Sequence, residues 1–347
     1  MVIRKKFILV KRFDGPPKEN DFEIVEENLP PLADGEFLAE AEYLSVDPYM
    51  RAYVHKLPVG SPMNGRQVAR IIESKSDDFP VGKHVFGGFD WQTHTISSKG
   101  GVGSPYLVPD LGGLPLSTSL GVLGMPGYLN KPLKKELLSL RSRCTAYFAF
   151  GDICKPKSGE TVVISGAAGA VGAIVGQTAK IKGCKVIGIT GSEIKGKYLV
   201  ENLNFDSYIN YKCGDIEEQL KKQAPEGVDC YFDNVAGEIS VSVMKHMNTY
   251  GRICNCGSIS SYNADVSNPP KVSSIQMLML TKQLYMEGFQ VYGYLDRSDE
   301  CITQHIQWIK EGKLKNLETI TEGFENTTKA FIEMLEGKNL GKAIVKV

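Results

Sequence analysis

The chain has 347 residues, 42% hydrophobic and 23% charged, and its 40 basic and 40 acidic side chains leave no formal net charge. That length is enough for two domains with a sizeable core, and the charge balance excludes a general attraction to nucleic acid or to anionic membrane surfaces, so a small, near-neutral partner molecule is expected. The eight cysteines are scattered, with only Cys254 and Cys256 close together, and the five histidines do not cluster near them, so neither a disulfide framework nor a zinc site is expected.

In chain order, the first ten residues are partly basic but carry too short an apolar run for a signal peptide, and no apolar stretch is long enough to cross a bilayer, so the expected location is the cytosol. From Lys5 to about Gly127, Pro and Gly punctuate short β-like runs such as Phe37–Tyr43 and Gln67–Ile72, which predicts a β-rich, barrel-like domain. His55 and His94 read as structural groups within it. Tyr128–Cys144 stands apart: its basic residues outnumber its single acid, and it reads as a solvated surface segment. From Thr145 onward strands alternate with helical segments, the strands falling at Thr161–Ile164, Lys185–Thr190, Val228–Phe232, Gly251–Cys256 and Leu284–Tyr292. Alternation of this kind predicts an α/β architecture with a doubly wound parallel sheet. The last run, Gly341–Val347, reads as a strand returning to the first domain. The expected boundaries are 1–127 with 308–347 for the β-rich domain, 128–144 for the atypical segment, and 145–307 for the α/β domain.

Within the second domain the run Thr161-Val-Val-Ile164 is followed at once by Ser165-Gly-Ala-Ala-Gly-Ala-Val-Gly172 and then by an Ala/Val/Ile-rich segment ending at Gly183. A strand, a glycine turn and a helix in that order bring backbone amides to a phosphate at a helix N-terminus, where the helix dipole favours negative charge. The glycines at 166, 169 and 172 follow G-x-x-G-x-x-G rather than the commoner G-x-G-x-x-G, so the spacing alone is a weak sign of a dinucleotide site. The next strand sharpens it. An NAD site places a carboxylate at the end of that strand for the ribose hydroxyls, whereas an NADP site leaves room for a phosphate and supplies positive charge. Here the strand ends in Thr190-Gly-Ser192, with Glu193 the first carboxylate and Lys195 close behind, which reads as NADP(H). Whether Glu193 turns inward, or Lys195 is one more solvated lysine, stays open on the sequence.

A set of motifs then resembles one family. Val46-Asp-Pro-Tyr-Met-Arg51, Gly65-Arg-Gln-Val-Ala-Arg70, Leu123-Gly-Met-Pro-Gly127, Thr145-Ala-Tyr-Phe148, Ala167-Ala-Gly-Ala-Val-Gly172, Tyr231-Phe-Asp-Asn-Val235, Cys256-Gly-Ser-Ile-Ser260 and Asn339-Leu-Gly-Lys342 together resemble the prostaglandin reductase branch of the zinc-independent medium-chain dehydrogenase/reductases. The resemblance runs almost end to end. It implies a GroES-like β-rich catalytic domain, a Rossmann domain, and NADPH-dependent reduction of the carbon–carbon double bond of α,β-unsaturated ketones and aldehydes, 15-oxo-prostaglandin-type substrates included. It further implies that Gly169, Ala170, Val171 and Gly172 hold the pyrophosphate and Lys195 the 2′-phosphate. Tyr211 and Asn234 fall on the adenosine and ribose side. Cys256, Gly257, Ser258, Ile259, Ser260, Ser261 and Tyr262, then Phe289, Gln290 and Val291, and finally Asn339, line the nicotinamide half. Tyr49, braced by Pro48, reads either as a structural core aromatic or as a pocket wall, and a homodimer is expected.

Conjugate reduction needs a hydride at the β-carbon and relief of the charge that grows on the carbonyl oxygen, usually the largest catalytic term. The Tyr262 hydroxyl and the cofactor ribose hydroxyl are the candidate donors, and the α-carbon proton comes from solvent or from Tyr262. One departure from the family pattern bears on activity. Tyr128–Cys144 separates Gly-Met-Pro-Gly127 from Thr145-Ala-Tyr-Phe148, two motifs that the family joins almost directly. The segment reads either as translated unspliced sequence or as an outward surface loop. The alternatives in function are a quinone or enoyl-thioester reductase, or an NADPH-binding protein whose catalysis the segment impairs.

Overall fold

The computed structural model describes residues 2–121, 145–264 and 271–347. Leu123–Gly127 and the atypical segment 128–144 lie outside the described residues. The chain divides into two compact units, Met1–Leu140 with Glu318–Val347 and Arg141–Leu317.

The first unit opens with β1 (Ile3–Leu9) and β2 (Phe22–Asn28), an antiparallel pair with Leu9 opposite Phe22. Next come β3 (Glu36–Ser45), helix α1 (Pro48–Tyr53), β4 (Arg66–Ser74), β5 (His84–Gly87), β6 (His94–Ser98) and the short β7 (Tyr106–Leu107). The strands at Phe37 and Gln67 are thus longer at both ends than the β-like runs suggested. Pro48 opens α1 because its missing N–H is not needed in a first turn.

The second unit begins with a π-helical stretch, Thr145–Cys154, whose wide turn has no signature in the sequence. It continues through β8 (Thr161–Ser165), α2 (Gly172–Ile181), β9 (Lys185–Thr190), α3 (Glu193–Leu203), β10 (Ser207–Asn210), α4 (Ile216–Gln223), β11 (Val228–Asp233), α5 (Gly237–His246), β12 (Met247–Asn255), α6 (Gln276–Lys282), β13 (Tyr285–Gly288) and α7 (Ser298–Lys310). Its six strands form one parallel sheet in the order β10-β9-β8-β11-β12-β13, which is the doubly wound arrangement expected. Every residue of β8 is buried, as a central parallel strand covered on both faces requires. The expected strand Leu284–Tyr292 is shorter: after Gly288 the Phe289 amide donates to Asn255 O at 3.0 Å and the chain coils from Val291.

The chain then returns to the first unit with β14 (Glu318–Glu322), α8 (Thr327–Leu335) and β15 (Lys342–Lys346). The boundary expected at 307/308 falls inside α7, a continuous helix, and the division lies instead between Leu317 and Glu318. In the second sheet β15 pairs antiparallel with β3, Ile344 opposite Ser45, which fixes the chain end to the β-rich unit. Lys342 reinforces the join. Nearly fully buried, it donates to Asp47 Oδ1 at 2.7 Å and to Val46 O at 2.9 Å, just where α1 begins.

The core of the first unit gathers Phe7, Phe22, Met50, Trp91, Phe324 and Phe331, with the Trp91 and Phe331 rings edge to face at 5.5 Å. In the second, α2 lies close to the chain just before β10: a β-carbon at Gly176 would sit 1.9 Å from Phe205 Cζ. Gly176→Ala therefore gains helix propensity but overpacks this contact, and the clash prevails. The variant is expected to lose about 1 to 2 kcal/mol of stability, read as an earlier thermal unfolding transition with an unchanged far-ultraviolet dichroism spectrum.

Candidate active site

At the carboxyl end of β8 the chain turns through Gly166, whose φ of 59° suits glycine. The Ala167 amide donates to Ile189 O at 3.1 Å and the Gly169 amide to Gly166 O at 3.0 Å, which tightens the turn against β9. Close packing explains the third glycine: a β-carbon at Gly172 would lie 2.5 Å from Gly166 O and 2.8 Å from Ala167 Cα. The amides of Val171 and Gly172 donate to no acceptor among the described residues. Bare donors at the positive end of a ten-residue helix make a phosphate cradle.

Beside this turn a buried carboxylate ties β8 to β11. Asp233 Oδ1 accepts from Ser165 Oγ at 2.8 Å, the Tyr231 hydroxyl at 2.9 Å, the Val235 amide at 3.0 Å and the Ala236 amide at 2.9 Å, and Oδ2 accepts from the Ser240 hydroxyl. Ser165 Oγ in turn accepts from the Asn234 amide at 2.9 Å, and Asn234 Nδ2 donates to Ser165 O at 2.8 Å. Asn234 is therefore fixed in its rotamer beside the glycine turn. Asp233 stands inside a motif quoted from the sequence, yet no role was assigned to it, because only the fold shows its side chain between two strand ends.

The loop after β12 hangs from the same place. The Cys256 and Gly257 amides donate to Asp233 O at 2.8 and 3.1 Å, the Ile259 amide to Asn234 O at 3.3 Å, and the Ser260 amide and hydroxyl to Val235 O at 3.1 and 2.6 Å. Burial, with the Asp233 charge behind it, pushes the Cys256 thiol up to about 12, so it stays protonated. Tyr262 is half-buried, and its hydroxyl oxygen accepts from the Ser258 amide at 3.4 Å. Ser258 and Ser261 brace the loop through a hydroxyl pair at 2.8 Å. Phe289 and Val291 are buried and Gln290 exposed; the Phe289 ring packs on Tyr294 at 5.1 Å, so Phe289 meets the core with its side chain.

At the end of β9 the question left by Glu193 has a geometric answer. Its carboxylate accepts from the Tyr208 hydroxyl and from Asn210 Nδ2 at 3.5 Å, toward the outer strand β10. Lys195, half-buried in the first turn of α3, has its amine held below the ordinary lysine range, first by burial and then by the positive charge of Lys212. Tyr211 stands against Gly191: a β-carbon there would lie 2.7 Å from the Tyr211 hydroxyl oxygen. Lys212 was not singled out from the sequence.

The structure thus brings Gly169–Gly172, Lys195, Tyr211, Asn234, Cys256–Tyr262 and Phe289–Val291 to the carboxyl ends of successive strands of one sheet, where ligands collect in doubly wound folds. Tyr49 and Asn339 belong to the first unit. There Tyr49 packs on the core beside Tyr53, ring centroids 6.5 Å apart, and Asn339 Nδ2 donates to Gly341 O at 2.7 Å. Among the described residues no group of three or more His, Cys, Asp or Glu side chains gathers to hold a metal.

A β-rich unit followed by a doubly wound unit with a glycine phosphate cradle defines a dinucleotide-dependent oxidoreductase of the medium-chain class. Comparison with known proteins agrees. Residues 5–104 match the family described as N-terminal domain of oxidoreductase, and residues 170–311 the one described as zinc-binding dehydrogenase. Prostaglandin reductase 1 of Rattus norvegicus is 46% identical over the whole of both chains, and the NADP(+)-dependent 2-alkenal reductase of Nicotiana tabacum is 36% identical over 100% of this chain and 98% of its own. The crystal structure of CurA from Vibrio vulnificus in complex with NADPH superposes with a TM-score of 0.87 at 36% identity, covering 99% of each chain. The chain belongs to the prostaglandin reductase family of NADP-dependent, zinc-independent medium-chain dehydrogenase/reductases.

Gly172→Ala tests the cradle. The new β-carbon meets backbone that cannot swing aside, so the turn shifts and at least one charge-assisted amide bond is lost, about 1.5 kcal/mol or roughly tenfold in NADPH affinity. Fluorescence titration with NADPH reads the loss, and dichroism shows that the fold is kept.

Proposed function

We propose that the protein is an NADPH-dependent reductase of the carbon–carbon double bond of α,β-unsaturated ketones and aldehydes. The observation that carries this reading is the cradle at Gly169–Gly172 combined with Lys195 in the first turn of α3, just past the end of β9, and a carboxylate, Glu193, turned away from it. The relatives named as prostaglandin and 2-alkenal reductases support the substrate class, and among them 15-oxo-prostaglandin-type enones fall within the range of substrates proposed here.

Bound NADPH supplies the hydride. The amides of Val171 and Gly172 would hold its pyrophosphate, Lys195 its 2′-phosphate, Tyr211 and Asn234 its adenosine and ribose side, and the Cys256–Tyr262 loop with Phe289–Val291 its nicotinamide half. The residue proposed to act on the substrate is Tyr262. Its oxygen accepts from the Ser258 amide, which polarises the phenol and strengthens its O–H as a donor to the carbonyl oxygen on which charge grows. Tyr49 of the first unit is carried in this reading as a substrate-binding candidate on the family resemblance alone. Cys256, kept as a thiol, does not compete as a nucleophile for the electrophilic substrate.

The reading includes a homodimer in the cytosol. For the dimer, β13 is an edge of the parallel sheet and Met277, Leu280 and Tyr285 expose 67%, 72% and 51% of their surface around it, an apolar patch that a second copy would cover. Sedimentation velocity tests it. Among the described residues no helix is long and apolar enough to cross a membrane.

An NADPH-oxidation assay with a simple alkenone decides the main reading: turnover is expected, whereas NADPH binding without oxidation of any enone points to the protein silenced by segment 128–144. Tyr262→Phe removes one oxyanion donor and is expected to lower kcat about a hundredfold with little change in NADPH affinity; an intact kcat excludes Tyr262 as the donor. Lys195→Ala is expected to weaken NADPH about tenfold and NADH hardly at all. Equal loss for both removes its 2′-phosphate role.

A further inference from the structure

We propose that Lys212 is a second cation for the 2′-phosphate, acting with Lys195 from the turn of the neighbouring strand, and so sets the preference for NADPH over NADH. The inference rests on the NADPH reading above and adds a residue to it.

Three observations carry it. First, the backbone at Lys212 is held in place. Asn210, at the end of β10, accepts the Lys212 amide on Oδ1 at 3.1 Å and the Cys213 amide on its carbonyl at 3.0 Å, and the Tyr211 amide donates to Thr190 O at 3.1 Å, tying the turn to the end of β9. Second, the side chain rises beside Tyr211: Lys212 Nζ lies 5.9 Å from the centroid of the ring whose hydroxyl stands against Gly191. That glycine opens the turn leading into α3 and Lys195, so both lysines flank one short stretch of backbone. The Lys212 charge is felt there, since it helps to hold the Lys195 amine down.

Third, no acid compensates Lys212. It is exposed and makes no ion pair among the described residues, and Glu193 is occupied by the Tyr208 hydroxyl and Asn210 Nδ2. Asn210 serves both ends of this arrangement, because it pins the Lys212 amide with one atom and draws the carboxylate aside with another. Two ammonium groups set near each other repel, and a dianion between them converts the repulsion into two attractions. A 2′-phosphate has that charge; a ribose 2′-hydroxyl does not.

Isothermal titration of the full-length protein with NADPH, NADH and 2′,5′-ADP tests the assignment. Lys212→Ala, a surface change, is expected to weaken NADPH and 2′,5′-ADP about tenfold while NADH moves less than twofold, and Lys212→Arg is expected to restore most of the loss. Lys195→Ala/Lys212→Ala should abolish the preference for NADPH. If Lys212→Ala binds NADPH like the parent while Lys195→Ala binds it weakly, the inference is overturned and the NADPH reading stands. If the parent protein itself binds NADPH and NADH equally, the reading on which both lysines depend is the one that fails.

Discussion

The Asp233 carboxylate, buried at the end of β11, takes the Ser165, Tyr231 and Ser240 hydroxyls and the Val235 and Ala236 amides at once. A charge in that position would be costly without partners, and with this many it becomes a rigid joint. Each donor belongs to something the site needs. Ser165 ends β8 and passes the constraint to Asn234; the Ala236 bond helps to hold a backbone at φ 61°, ψ −163°, which L side chains rarely adopt, just before α5 begins. Through the carbonyls of Asp233, Asn234 and Val235 the same joint suspends the loop that carries Cys256, Ser260 and Tyr262. Glycine turn, asparagine and loop are therefore tied to one hydrogen-bonded joint.

This explains what the sequence could and could not disclose. The phosphate turn was legible because strand, glycine turn and helix are contiguous, and the parallel sheet because buried apolar runs alternate with helical segments. The family motifs gave the remaining site residues as positions, without their partners. Asp233 sat in view between Phe232 and Asn234, but its role is made above all by Ser165, far from it along the chain at the end of another strand. Lys212 was hidden for the same reason: its relation to Lys195 arises from the pairing of β10 with β9, Asn210 opposite Thr190. The π-helical turns of Thr145–Cys154 and the early end of β13 at Gly288 follow from hydrogen bonding that no periodicity announces.

In the first unit one buried pair does comparable work. Lys342 reaches Asp47 and Val46 O from a strand close to the end of the chain, and the Ser45 hydroxyl donates to the other oxygen of Asp47. The lysine charge is neutralised where it is buried, and the geometry at the start of α1, which carries Tyr49, is set by residues that come last in the chain. That Gly341–Val347 is a strand returning to the first domain was readable from its apolar run; its pairing with β3 and the ion pair that locks it there were not.

Cofactor choice at β9 turns as much on the placing of a negative charge as on positive ones. Glu193 stands where an acid could receive a ribose, two residues before Lys195, and a carboxylate facing a 2′-phosphate at about 4 Å would cost several kcal/mol even in a partly screened setting. Tyr208 and Asn210, both on β10, draw that carboxylate sideways, and Lys180 occupies the other nearby acid, Asp206, at 2.8 Å. The surface left around Gly191 is then lined by Lys195, Tyr211 and Lys212 and keeps its positive sign. Selection for NADPH on this account depends on an outer strand that carries no acid of its own but decides where the Glu193 carboxylate points.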